Sequence, residues 1–133
     1  MKPQCIKLTT WPDRDHDRGR RLESILIRTS TITHVVQYDH ATEVYWASFK
    51  GHHRELVTER VEDFSFELEG FVRLSPDRGN YNADLMLVRS SCITHVEKVR
   101  GAKMTIIYFT ADYQWSYKLS DSIEDIYQQM KAM

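Results

Sequence analysis

The tetrapeptide Ile-Thr-His-Val occurs twice in this 133-residue chain, at Ile32–Val35 and at Ile93–Val96. Histidine carries the side chain whose charge is most easily switched near neutral pH, so it serves proton transfer, anion binding and metal ligation. Each histidine is preceded by an arginine at the same distance, Arg28 before His34 and Arg89 before His95. Two equivalent imidazole and guanidinium pairs would suit an anionic ligand. Arg28, His34, Arg89 and His95 are therefore the candidate ligand-binding residues. The same residues also fit a second reading, two partly buried and hydrogen-bonded histidines inside a repeated framework. In a regular strand His projects opposite to its Thr and Val neighbours, so spacing leaves open which face is buried.

Other chemistry is sparse. Cys92 stands three residues before His95, roughly 10 Å along an extended strand, too far for a thiolate and its base to pair locally. The first tetrapeptide has Thr31 in the place of Cys92, which favours a structural cysteine. His52 and His53 follow Gly51, and neighbouring strand residues point to opposite faces and chelate poorly as a pair. No Cys-x-x-Cys, His-Glu-x-x-His or glycine-rich phosphate loop occurs. No catalytic set, metal site or cofactor is expected, and the chain does not read as an enzyme. Aromatic residues crowd two segments: Tyr45, Trp46 and Phe49, then Tyr108, Phe109, Tyr113, Trp115 and Tyr117. Alternation sends half of them away from a core, which places Trp46, Tyr108 and Trp115 at an expected interface. A smaller reading is an aromatic shelf for a base, with Arg54, Arg100 or Lys103 near its phosphate.

These residues need a scaffold, and the repeat supplies it. Matches extend outward from the tetrapeptides in unbroken order. Ile6-Lys7-Leu8-Thr9 aligns with Val72-Arg73-Leu74-Ser75, and Pro12-Asp13-Arg14 with Pro76-Asp77-Arg78. Val44-Tyr45-Trp46 aligns with Ile106-Ile107-Tyr108 after a one-residue shift, and Val61-Glu62-Asp63-Phe64 with Ile123-Glu124-Asp125-Ile126. The pattern indicates a tandem duplication, residues 1–68 and 69–133, joined near Glu69-Gly70. Each copy reads as a short strand, a Pro-Asp-Arg turn, a broken apolar stretch, an aromatic hairpin and a closing helix. In the second helix Ile123, Ile126, Tyr127 and Met130 would form the apolar face, with Ser120 as N-cap. Thr58, Val61, Phe64 and Leu68 hold the corresponding places in the first copy. The expected fold class is α+β, mainly β: two small sheet modules, each closed by a short C-terminal helix, packed with pseudo-twofold symmetry.

The second copy resembles the FlbD type of small bacterial protein, named for flagellar and swarming motility, and the first copy does so more faintly. The resemblance lies in Val72-Arg73-Leu74-Ser75, Ile93-Thr94-His95-Val96-Glu97, Thr105-Ile106-Ile107-Tyr108-Phe109 and the stretch from Tyr117 to Ile126. Ala111-Asp112-Tyr113 stands where that family carries an Asn-Gly or Asp-Gly type turn, and Asp121 where it carries Glu. Related small β-rich proteins, single or doubled, also look common in phage genomes. The likeness implies a non-catalytic regulatory or binding module.

Composition narrows the partners. The formal net charge is −1, with 18 basic and 19 acidic residues, which disfavours general nucleic-acid binding. Arg14, Arg18, Arg20 and Arg21 alternate with Asp13, Asp15 and Asp17, the pattern of a solvated loop. No apolar run reaches the length of a membrane span, and the opening residues lack the apolar segment of a signal peptide. Two cysteines, Cys5 and Cys92, suit free thiols in the cytoplasm. The expected role is a regulator that contacts another protein and self-associates as a homo-oligomer. The alternative is a phage-type sponge sequestering an anionic nucleotide signal at the repeat or subunit junction.

Overall fold

Alternation of apolar and polar residues dominates the chain, and in the computed structural model it becomes strand. Residues 5–12, 23–64, 68–79, 81–109 and 116–133 are described. The chain divides into two compact units, Met1–Glu69 and Gly70–Met133. The fold is mainly β with two α-helices among the described residues.

In the first unit β1 (Cys5–Thr9) pairs antiparallel with β2 (Ser24–Arg28). Ile6 and Leu8 are buried while Lys7 between them is exposed, the period of a half-buried strand. A single 3-10 turn, Thr29–Thr31, leads into β3 (Ile32–Tyr38). β4 (Thr42–Ser48) lies between β3 and β5 (Gly51–Val57), antiparallel to both. The β4–β5 hairpin closes through Phe49 and Lys50, and Gly51 then takes φ of 123°, a conformation that side chains resist. Residues Ile32 to Val36 are all buried, so β3 is covered on both faces. The helix α1 (Val61–Phe64) buries Val61 and Phe64. It is a single turn, and Thr58 and Leu68 lie outside it.

The second unit has the same element order. β6 (Phe71–Leu74) pairs antiparallel with β7 (Ala83–Arg89). A 3-10 turn, Ser90–Cys92, leads into β8 (Ile93–Lys98). β9 (Thr105–Phe109) lies between β8 and β10 (Ser116–Leu119), and α2 (Ile123–Lys131) follows. Hydrogen bonds recur with the elements. Trp11 N–H donates to the Leu56 carbonyl and Asp77 N–H to that of Lys118, both at 2.9 Å. Thr58 N–H donates to Thr9 and Ser120 N–H to Ser75, at 2.9 and 2.8 Å. Glu59 accepts the Thr9 N–H at 2.8 Å and Asp121 that of Ser75 at 2.6 Å.

Three further sequence expectations change. Ser120 is not the cap of α2, because it bridges to Ser75. The cap is Ser122, whose hydroxyl accepts the Asp125 N–H at 3.1 Å. The apolar side of α2 is mostly uncovered: Ile126 is buried, but Ile123, Tyr127 and Met130 are 40, 54 and 37 % exposed. The cause is Gln129, whose side-chain amide accepts the Arg73 N–H at 2.9 Å and donates to the Arg73 carbonyl at 2.7 Å. That clamp turns Ile126 and Gln129, neighbours on one helix face, toward the chain. Finally, strand register aligns Tyr45 with Tyr108, since they face His34 and His95 respectively. The one-residue offset read from sequence should therefore be moved one residue further.

Candidate functional site: two bulged Thr-His pairs

Both tetrapeptides sit on a β-bulge. The register of β3 against β4 shifts between Ile32 and His34, and that of β8 against β9 between Ile93 and His95. An extra residue opposite one partner breaks the strict alternation of side chains. Consecutive Thr and His side chains therefore meet, where a regular strand would send them to opposite faces. Thr33 Oγ1 lies 3.0 Å from His34 Nδ1, and Thr94 Oγ1 lies 3.1 Å from His95 Nδ1. Each threonine hydroxyl also donates to a carbonyl across the strand, Thr33 to Tyr45 and Thr94 to Tyr108, both at 3.2 Å. A hydroxyl has one proton, and a carbonyl can only accept. For His34 both contacts are hydrogen bonds only if the imidazole donates from Nδ1 into the hydroxyl oxygen, whereas His95 also faces the Glu97 carboxylate, which can only accept, through Nε2 at 3.2 Å, so its ring donates there. Each ring then stacks on the tyrosine opposite. His34 lies 4.0 Å from Tyr45 with 10° between planes, and His95 lies 4.6 Å from Tyr108 with 9° between planes.

The acidic partner is conserved in kind but exchanged in position. In the first unit Val36 faces Glu43, and in the second Glu97 faces Ile106. The acid has crossed from one strand to the other. In both units it still reaches the tyrosine: the Tyr45 hydroxyl donates to Glu43 at 2.5 Å, and Tyr108 hydrogen-bonds Glu97.

Burial separates the two copies. His34 is 1 % exposed, and desolvation lowers its pKa to about 3. It is a neutral imidazole at physiological pH and presents no cation to an anion. Its place among the ligand-binding candidates gives way to a structural role. The His95 and Glu97 side chains are 53 and 50 % exposed, with His95 Nε2 3.2 Å from Glu97 Oε1. The Tyr108 hydroxyl is raised above its ordinary pKa by desolvation, then by the Glu97 carboxylate beside it.

The remaining sequence candidates stand apart from these clusters in character. Arg28 is exposed at the end of β2, before its 3-10 turn. Arg89 holds the same place before the second turn, with its guanidinium 4.7 Å above the Phe71 ring. Trp46 is half-buried and stacks on His53 at 5.4 Å. Tyr108 is half-buried. Trp115, Asp112, Tyr113 and the run from Asp13 to Arg21 lie outside the described residues. Sequence reasoning singled out the histidines but missed Thr33, Thr94, Glu43 and Glu97. The signal was there as Thr-His-x-Glu at Thr94–Glu97 and Glu-x-Tyr at Glu43–Tyr45, since residues two apart share a strand face.

Thr94, His95 and Glu97 follow the order of a nucleophile, base and acid, but the hydroxyl has other acceptors. The Thr94 hydroxyl proton is held by carbonyls of Tyr108 and Phe109, each at 3.2 Å. These carbonyls compete with His95 Nδ1, 3.1 Å away, for that proton. Cys92 is pushed above its usual thiol range by burial, the neighbouring Arg89 and Ser91 opposing this only in part, which disfavours the thiolate. Among the described residues no group of three or more His, Cys, Asp or Glu side chains is placed to hold a metal ion, and no helix is long and apolar enough to cross a membrane. Comparison with protein-family models, curated proteins and solved structures found no match to the chain.

Proposed function

We propose that the chain is a non-catalytic binding protein, built from a doubled module, that works by contacting another protein through its second unit. One observation carries this reading. The same Thr-His bulge and His-Tyr stack is made twice, enclosed in one unit and open to solvent in the other. The enclosed copy serves the fold. The open copy displays an imidazole, a carboxylate and a phenol on one strand face, polar groups fitted to specific contacts on an aromatic base. The resemblance of the second half to the FlbD type supports the same direction. An anionic ligand held by both histidines is the weaker alternative, because His34 is neutral.

The test compares immobilised wild type with a His95→Ala/Glu97→Ala variant against extract of the source cell. A partner retained by the first and lost by the second supports the proposal, provided the variant unfolds within about 0.5 kcal/mol of wild type. Equal capture by both contradicts it. So does a nucleotide that raises the unfolding temperature with the logarithm of its concentration, which would favour sequestration of a small anion.

A further inference from the structure

We propose that β8 is the closing edge of a symmetric dimer, in which it pairs antiparallel with β8 of a second copy, centred on Val96. β8 is the edge strand of its three-stranded sheet, and among the described residues it pairs only with β9. Its outer edge therefore carries N–H and C=O groups that no described strand takes up, a template for another strand. Thr94, His95, Glu97 and Lys98 beside that edge are all exposed.

The side chains select both the partner and the register. Paired residues of antiparallel strands share a sheet face, so only shifts by two residues are allowed. Centring on Val96 sets His95 of each copy opposite Glu97 of the other, acid against base twice. Sliding two residues one way sets His95 against His95. Sliding the other way sets Glu97 against Glu97. Two carboxylates directly opposite are unfavourable, and only the centred register sets an imidazole against a carboxylate, so one register stands out. The existing contact of His95 Nε2 with Glu97 Oε1 at 3.2 Å becomes one side of a ring of four alternating groups.

A second observation agrees. The helix α2 rests against β6 and β8, and its Ile123, Tyr127 and Met130 are exposed. Joining β8 to a second β8 about a twofold axis perpendicular to the sheet brings both helices to one side of a continuous sheet. Their exposed apolar side chains are then available to extend the contact. The Thr94 bulge and Lys98 keep the new ladder short, so the dimer is weak and concentration-dependent.

The inference rests on reading the second unit as the one that makes contacts, and it can fail separately. Sedimentation equilibrium up to millimolar protein should show a monomer–dimer equilibrium. Glu97→Lys should raise the dissociation constant about tenfold or more, and His95→Glu/Glu97→Lys should return it to within about threefold of wild type. In a Cys5→Ser/Cys92→Ser background, Val96→Cys should oxidise to a covalent dimer faster than Lys98→Cys, because only Val96 faces its own copy. Unfolding midpoints of every variant control for misfolding. A monomer at all concentrations, a dimer indifferent to Glu97→Lys, or equal cross-linking at both cysteine positions would overturn the dimer. A monomeric protein that still captures its partner through His95 and Glu97 would sink the dimer alone. A register-specific dimer without any partner would sink the proposed function alone.

Discussion

Burial of His34 should write itself into the acid side of the stability curve. Unfolded, its imidazole binds a proton below about pH 6.5. Folded, it resists protonation until about pH 3. Below the unfolded value the denatured state therefore holds a proton that the native state lacks. The stability associated with His34 is complete above pH 6.5 and falls as pH drops toward 3, by up to about 1.4 kcal/mol per unit. From about pH 7.5 to about pH 5 the loss is roughly 2 kcal/mol. Urea denaturation followed by circular dichroism at a series of pH values measures it. In His34→Gln the neutral-pH stability should fall by about 1–3 kcal/mol, because the Thr33 hydroxyl and the Tyr45 ring lose their partner. Its curve should flatten between pH 7.5 and 5 by about the 2 kcal/mol just derived, whereas His95→Gln should keep the slope that His34 causes. Parallel curves for wild type and His34→Gln would refute the reasoning, since no other property of that position produces this slope.

The Thr33 and Thr94 hydroxyls do the same bonding in unlike solvent. Thr33→Val should cost about 2–3 kcal/mol by stranding a buried imidazole donor, and Thr94→Val under about 1 kcal/mol because water replaces the hydroxyl; chemical denaturation at neutral pH separates them. Thr42 and Thr105, the first residues of β4 and β9, have buried hydroxyls with no hydrogen-bond partner among the described residues. Thr42→Val and Thr105→Val should be neutral or stabilising, by up to about 1–2 kcal/mol, and a loss above about 1 kcal/mol in either would show that the hydroxyl has a partner. The Gln129 clamp on Arg73 is testable by amide hydrogen exchange. Gln129→Glu keeps the acceptor for the Arg73 N–H and should preserve its protection, whereas Gln129→Ala should remove it.

Strand positions were legible because apolar alternation is a direct consequence of strand geometry, as Ile6 and Leu8 in β1 show. The bulge was not. Alternation assigns Thr33 and His34 to opposite faces, and only the register shift reveals that their side chains meet. The alignment of Tyr45 one residue short of Tyr108 has another source: the connection from Lys98 to Thr105 is two residues longer than that from Gln37 to Thr42. Nor could four identical residues announce that one copy is enclosed and the other open, because burial depends on neighbours distant in sequence. The amphipathic pattern of α2 was legible, but the face it turns inward was decided by Gln129, a polar residue that periodicity ignores.

Carbethoxylation of native protein at neutral pH, mapped by peptide mass spectrometry, probes directly whether one bulge is shut and its twin open. The account predicts rapid labelling of His95 and labelling of His34 only after unfolding. Equal labelling of both histidines in the folded chain would contradict it.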